Sequence, residues 1–261
     1  MNIIVFVKQV PRVDEVSLDP KTGNILRDGV ESVMNPPDAN AVEAAVRLRE
    51  RMGGTVTAVS MGPGQAMAVL NRALAMGCDQ AVLLSDRAFA GADTLATGYT
   101  LSEAVRKLGP FDLIVCGDHS IDAETAQTGP IVAELLDIPD VTAVSGIETE
   151  KDGLVCEKHA EGWRRRIRVR FPALITVLED ANTPRYPKPI EIMRAARKPH
   201  FVWDAAALGC DPARIGAAGS PSANKRLTAP ETPRLDTVFL TGKPEEMARA
   251  YARILEEKGL I

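Results

Sequence analysis

The sequence predicts an α/β fold: a mostly parallel sheet with helices on both faces, plus an antiparallel hairpin and an extended C-terminal arm. Three observations predict it. Short apolar runs alternate with helix-length amphipathic stretches from residue 2 to about 137, the pattern of βαβ units whose right-handed crossovers place helices on both faces. The apolar runs are continuous, as in strands buried on both sides. From about 141 the pattern changes to paired strands, and later to a tract rich in Pro, Gly and Ala.

Residues 3–7 (IIVFV) form the first core strand. The residues that open the chain lack a basic leader and a small-residue cleavage site, so they read as strand and not as a signal peptide. Asp38 reads as an N-cap. Ala41, Val42, Ala45, Leu48 and Met52 follow at helical spacing until Gly53-Gly54 stops the helix. Residues 55–60 are the second strand. Gly62-Pro63-Gly64 then turns the chain into a helix that carries Ala66, Val69, Leu70, Ala73 and Leu74 and ends at Gly77. Residues 81–84 are the third strand, and Asp93-Thr94 opens a helix to about Leu108. Residues 112–116 are the fourth strand, and a helix from about Ala126 to Leu136 closes the series.

Residues 155–160 and 165–171 read as paired strands around a Glu161-Gly162 turn, and residues 173–178 as one more buried strand. Residues 208–236 show no periodicity and read as an extended arm, because a structureless loop of that length is unusual inside one compact domain. An amphipathic helix follows over about residues 244–258. The expected division is a nucleotide-binding α/β domain over residues 1–200 and a C-terminal arm and helix over residues 201–261. There is no internal repeat.

Composition narrows the function classes. The 261 residues are 45% hydrophobic and 25% charged, ordinary for a folded domain and unlike disordered, collagen-like or coiled-coil chains. A net charge of −4 argues against a general nucleic-acid binder. No apolar run approaches the roughly 20 residues of a membrane helix. Cys78, Cys116, Cys156 and Cys210 are far apart, which speaks against zinc and disulfide frameworks and fits a reducing cytoplasm. Aromatics are only 4%, so Ala, Val, Leu, Ile and Met must build the core.

In an open parallel sheet, ligands bind outside the carboxyl ends of the strands, where strand order reverses. The segments that follow the strands are residues 8–11 (KQVP), 60–64 (SMGPG), 91–97 (GADTLAT) and 117–129 (GDHSIDAETAQTG). They combine small residues, hydroxyls and helix starts. Free backbone N–H groups at a helix start, with Ser and Thr donors, suit a phosphate. Small residues let an adenine or a pyrophosphate approach the backbone. The expectation is a nucleotide site; the plain alternative is that these loops only cap helices.

Several devices are absent. No Gly-x-Gly-x-x-Gly follows the first strand, and there is no Gly-Lys-Ser/Thr loop and no Gly-x-Ser-x-Gly elbow. His119, His159 and His200 lack metal-ligand spacing; His119 stands in the fourth loop within reach of a ligand, though a lone exposed loop histidine is the plainer reading. The five arginines of residues 163–170 (WRRRIRVR) read as one charged face of an edge strand, since the chain is acidic overall.

At these loops the sequence resembles the beta subunits of the electron transfer flavoproteins, over about residues 1–230. The matching residues are Val7-Lys8-Gln9-Val10-Pro11, Met34-Asn35-Pro36 with Ala41-Val42-Glu43-Ala44-Ala45, Met61-Gly62-Pro63, Ala73-Leu74-Ala75-Met76-Gly77, Ile121-Asp122, Gln127-Thr128-Gly129, Pro172-Ala173 and Asn182-Thr183-Pro184-Arg185-Tyr186. The resemblance implies an adenine-nucleotide alpha-hydrolase-like fold. It implies a heterodimer with an alpha subunit that carries one FAD in a mobile domain, with the C-terminal arm packing on that partner. The beta nucleotide is a structural AMP in one branch. In the electron-bifurcating branch and the related Fix proteins it is a second FAD, to which NADH delivers a hydride and from which the electron pair is divided between two acceptors.

Residues 122–130 (DAETAQTGP) share Thr-Ala-Gln and the final Gly-Pro with the bifurcating pattern Asp-Gly-Asp-Thr-Ala-Gln-Val-Gly-Pro. They fit the AMP-branch pattern Asp-Cys-Asn-Gln-Thr-Gly less well. Residues 91–97 and 219–222 also fit the bifurcating branch. Ala123, Glu124 and Thr128 depart from its pattern, and Asp118-His119 replaces the usual basic residue and Gln. FAD is the expected cofactor and AMP the alternative.

On this resemblance the backbone near Val7 and Cys116 bounds the adenine edge, and Asn35 and Ser60 bond base or ribose. Met61, Gly117 and Asp122 line the site. The N–H groups of Thr125, Ala126, Gln127, Thr128 and Gly129 hold phosphates, and Asp93, Thr94 and Thr97 contact the extra length of FAD. The implied partners are the alpha subunit, NADH, and an acyl-CoA dehydrogenase-like protein or a quinone reductase. Residues 182–192 resemble the loop that docks dehydrogenases, with Pro189 in place of its anchoring leucine. A stand-alone nucleotide sensor or hydrolase is disfavoured by the long arm and by the lack of a Ser-Gly-Gly phosphate loop.

Overall fold

The computed structural model describes residues 1–12, 17–18, 25–26, 32–160, 162–222 and 237–261. The chain starts with β1 (Asn2–Phe6), then β2 (Gln9–Pro11), β3 (Ser17–Leu18), β4 (Ile25–Leu26) and β5 (Ser32–Met34). β2 pairs with β5, and β3 with β4, both antiparallel. Five further elements follow in alternation: α1 (Pro36–Met52), β6 (Thr55–Met61), α2 (Met67–Met76), β7 (Gln80–Leu84) and α3 (Thr94–Leu108). After them come β8 (Leu113–Gly117), α4 (Thr128–Leu136), β9 (Asp140–Glu150), β10 (Gly153–Ala160), β11 (Trp163–Arg170) and β12 (Ala173–Val177). The described chain ends with α5 (Pro189–Ala195), β13 (His200–Trp203), α6 (Ala205–Leu208) and α7 (Pro244–Glu257).

One nine-stranded sheet organises these elements, in the order β11-β10-β9-β12-β8-β1-β6-β7-β13. It is parallel from β9 to β13, and β9, β10 and β11 are antiparallel. From β1 the chain first moves outward through β6 and β7. It then returns to the other side of β1 to lay down β8 and β12, so strand order reverses between β1 and β8.

Alternate residues of β1 face opposite layers, as the period of two requires. Ile3, Val5 and Val7 pack in one core with Ala41, Val42, Ala45 and Leu48 of α1 and Val69, Leu70 and Leu74 of α2. Ile4 and Phe6 pack in a second core with Tyr99, Leu101 and Val105 of α3 and Val132 and Ala133 of α4. The parallel sheet with helices on both faces is therefore as the apolar runs predict. Both cores are dominated by aliphatic side chains, and their few aromatics include Phe6, Phe89 and Tyr99.

Two elements that shape the molecule's edges carry weak periodicity. β9 precedes the expected hairpin and makes it a three-stranded antiparallel sheet, and β13 adds an outer strand beside β7. The chain divides into two compact units, Met1–Arg226 and Leu227–Ile261. The expected division after residue 200 thus falls inside the first unit, because residues 200–203 pair with β7 and Ile215 is buried in the second core. In the second unit α7 has no buried residue. Residues 223–236 of the expected arm and Glu161 of the expected turn lie outside the described residues. The arginine strand is an edge strand, as expected, with Arg166 paired to Glu148 and Arg168 to Glu150 at 2.8 Å.

Candidate functional site

A cavity of about 590 Å³ opens at the carboxyl ends of β1, β6 and β8, on the reversal of strand order. Its size is ordinary for a small-molecule site. Val7, Asn35, Met61, Asp93, Thr94, Thr97, Cys116, Gly117, Thr125, Ala126, Gln127, Thr128 and Gly129 all line it. The structure thus brings together nearly every expected site residue, from four separate strand ends.

Ser60 and Asp122 are not on the wall. Ser60 lies between Val59 and Met61, which do line the cavity. The strand's alternation turns its side chain to the opposite face, where its Oγ is buried without a hydrogen-bond partner among the described residues. Asp122 is engaged by Lys8, whose Nζ stands 2.6 Å from its Oδ1 and 3.2 Å from Ser120 Oγ. Burial opposes ionisation of Asp122, but the Lys8 ammonium outweighs it and holds the carboxyl below its ordinary range.

The two helix starts at the cavity differ. At α3, Asp93 caps the helix: its Oδ1 accepts from the N–H groups of Leu95 and Ala96, and its Oδ2 from the N–H and hydroxyl of Ser222. That start is closed by a carboxylate of the chain itself. At α4 the N-cap residue is Gln127, and its side chain makes no cap. Instead its Oε1 accepts from Thr94 Oγ1 at 3.0 Å.

Approaching α4, Glu124 and Ala126 adopt positive φ of 50° and 52°, a conformation that non-glycine residues seldom hold without a reason. Among the described residues, the N–H groups of Thr125, Ala126, Gln127, Thr128 and Gly129 have no acceptor in the protein. Consecutive free donors at the positive end of a helix dipole form an anion cradle. Gly129 is required for α4 to sit this low: a Cβ there would come within 2.8 Å of Thr176 Cγ2 and 3.0 Å of Cys116 Sγ.

The structure adds wall residues outside the expected set, including Lys8, Asp38, Asp118, His119, Ser120 and Ser222. Asp38 is not the N-cap; that position is Asn35, followed by two prolines. Asp38 is instead buried and accepts from the N–H groups of Lys8 and Gly117. The side chain of Asn35 is spent on the loop after β8, donating to the His119 carbonyl at 2.9 Å and accepting from the Ile121 N–H at 3.1 Å. His119 lies on the cavity wall, beside Asp118. Lys8 and His119 stood in the segments after the strands, so position was their signal; that of Ser222 was the likeness of residues 219–222 to the bifurcating branch.

The expected docking segment is anchored from α1. The side chain and N–H of Arg185 both reach Glu43, and its guanidinium also holds Glu50. Asn40 donates to the carbonyls of Glu179 and Asn182 at 2.7 Å. Next to this anchor Tyr186 is 88% exposed, and Pro189 opens α5, a position where a proline's missing N–H costs nothing.

Among the described residues no helix is long and apolar enough to cross a membrane, and no group of side chains could hold a metal ion. The electron transfer flavoprotein domain profile matches residues 22–208. Over the full length of both chains, this one is 44% identical to the electron transfer flavoprotein subunit beta of Thermoanaerobacterium thermosaccharolyticum. It is 39% identical, again over both full lengths, to the caffeyl-CoA reductase-Etf complex subunit CarD of Acetobacterium woodii. It is 43% identical to the protein FixA of Azotobacter vinelandii, over 88% of this chain and 85% of that one. With the fold, the cavity and these relatives in agreement, the chain belongs to the electron transfer flavoprotein family, as one of its beta subunits.

Proposed function

We propose that the chain binds FAD in the cavity between β1 and β8 and works in a heterodimer with an electron transfer flavoprotein alpha subunit. In this reading NADH is the donor. The electron pair is divided between the alpha-subunit FAD and a second route, toward an acyl-CoA dehydrogenase-like protein or a quinone reductase. The observation that carries the reading is the run of five N–H donors over residues 125–129 without an acceptor among the described residues.

The residues present fit an adenine dinucleotide. The α4 start offers donors and no competing side chain, so it suits a pyrophosphate. The α3 start already holds the Asp93 carboxylate, which would repel one, so residues 93–97 suit the sugar or ring that follows. The backbone at Val7 and Cys116 bounds the adenine edge. The wall continues past α4 to Phe89, residues 91–97 and Ser222, space that a mononucleotide held at Val7 and Cys116 would leave empty. When bound, FAD accepts a hydride and releases single electrons; the chain supplies binding, orientation and hydrogen bonds that tune it. The name of the Acetobacterium relative places that protein in a complex with a CoA-ester reductase, which supports a partner of that class here.

The test is a cofactor count. The chain is co-expressed with its alpha partner, the complex is denatured, and released FAD and AMP are separated by chromatography. Two FAD per heterodimer are expected, and NADH should then bleach the flavin. One FAD and one AMP would make the beta nucleotide structural, in a subunit that takes electrons from acyl-CoA dehydrogenases. Release of no beta nucleotide would end the reading.

A further inference from the structure

The cavity lies where two neighbouring strands part, and one side chain bridges the parting. β1 and β8 are in register at Ile3–Leu113, Ile4–Ile114 and Val5–Val115, and there the pairing stops. Beyond it the N–H groups of Lys8 and Gly117 stand on opposite lips. Lys8 donates to Asp38 Oδ2 at 2.7 Å and Gly117 to Asp38 Oδ1 at 3.2 Å. Asp38 sits in the first turn of α1 and is 6% exposed. The fit is close: a Cβ on Gly117 would lie 2.4 Å from Asp38 Oδ1 and 2.7 Å from Pro37 Cβ.

This arrangement suits one protonation state. A carboxylate is acceptor-only and can serve both lips at once. A carboxylic acid carries a proton on one oxygen and sets an O–H against one of the N–H donors. An asparagine in its place sets an NH2 there and so imitates the acid form. We propose that the ionised carboxylate of Asp38 is a positioning residue that fixes the width of the nucleotide cleft, so that nucleotide affinity rises as this group deprotonates. The proposal rests on the nucleotide reading of the cavity.

Burial drives the Asp38 carboxyl up to about 7, against the pull of Asn35, the two N–H donors and Lys8. The charged and titratable groups around it are few. Lys8 comes from the end of β1 and is paired with Asp122. From β8 and its loop come Cys116, whose thiol burial pushes far up and keeps neutral, Asp118, which accepts from Thr176 Oγ1 at 2.8 Å, and His119. His119 stands on the same wall and needs a control of its own.

The experiment titrates the full chain, stripped of nucleotide, with AMP and separately with FAD between about pH 5.5 and 8.5. It uses the wild type, Asp38→Asn and His119→Gln. In the wild type the Kd should fall about tenfold across this range, the worth of one charge-assisted bond. Asp38→Asn should bind at every pH with the weak affinity that the wild type shows at its acid end. His119→Gln should keep a pH slope. A slope that persists in Asp38→Asn, or that disappears in His119→Gln, overturns the proposal.

A second measurement needs no variant. The backbone amide resonances of Lys8 and Gly117 should shift with one shared midpoint that matches the binding midpoint, and separate or absent midpoints overturn the proposal. Tight binding of AMP or FAD with no pH slope removes this proposal and leaves the nucleotide reading standing. Binding of neither at any pH removes both.

Discussion

At the scale of single residues, the cavity is set by side chains that hold others in place. Thr94 donates to the Gln127 side chain and so keeps that amide from folding back over the start of α4, where it would occupy the free donors. Thr125 stands in the cradle itself. Thr94→Ala and Thr125→Ala should each weaken nucleotide retention by about 1 kcal/mol, or several-fold in Kd, with little change in melting temperature. Dialysis followed by quantification of the retained nucleotide checks this, and full retention in both variants counts against the assignment. These residues were legible because hydroxyls and small residues crowd the segments after the strands. Asp38 was misread, because an acidic residue before a helical stretch signals a cap. Its true partners, Lys8 and Gly117, are 30 and 79 residues away. Ser60, expected on the wall, is turned from it by the strand's alternation, which the loop it borders does not reveal.

At the scale of elements, α1 does more than cover the sheet. Its buried Glu43, 2% exposed, takes Arg47 from its own helix and Arg185 from the segment after β12. Burial opposes ionisation of Glu43, yet the Arg185 side chain and N–H, with Arg47, overcome it and hold the carboxyl below its usual range. Arg185→Ala leaves that charge half-paired and should destabilise the domain by about 2 kcal/mol at neutral pH, discounted for the partial exposure of the guanidinium. A carboxylate whose pKa is lowered by folding stabilises above its unfolded value and loses that contribution as pH falls through the folded one. The gap between wild type and variant should therefore be full above about pH 4.5 and shrink below it, as urea melts at neutral and acid pH would show. A gap that is constant with pH would mean that Arg185 contributes by packing alone. The main helices and buried strands were legible from periodicity. α5, β9 and β13 were not: α5 is seven residues long, β13 is four, and β9 alternates irregularly between buried and half-buried positions. Tertiary pairing with longer strands decides such elements.

At the scale of the whole molecule, the sheet and both cores are complete before the chain reaches residue 226. Among the described residues the last of either core is Ile215, and the second compact unit begins at Leu227. The first half of the expected arm therefore belongs to the first unit, for a reason that composition hides. Ser220 donates to the Gly216 carbonyl and accepts from the Asp93 N–H, while Ser222 donates to the Asp93 carboxylate. Prolines and glycines there mark a tightly bonded turn. The second unit is different: α7 buries nothing, and Val238, Phe239 and Tyr251 are exposed. Apolar side chains left in water are surface that association with another chain would bury. A chain ending at residue 226 should keep the melting temperature of the full chain to within a few degrees, since neither core loses a described residue. The same truncation should lower the yield of heterodimer when the alpha partner is co-expressed, at least several-fold by size-exclusion chromatography. Full-yield assembly of the truncated chain would free residues 227–261 from any part in holding the partner. A collapse in melting temperature would instead show that they stabilise the fold itself.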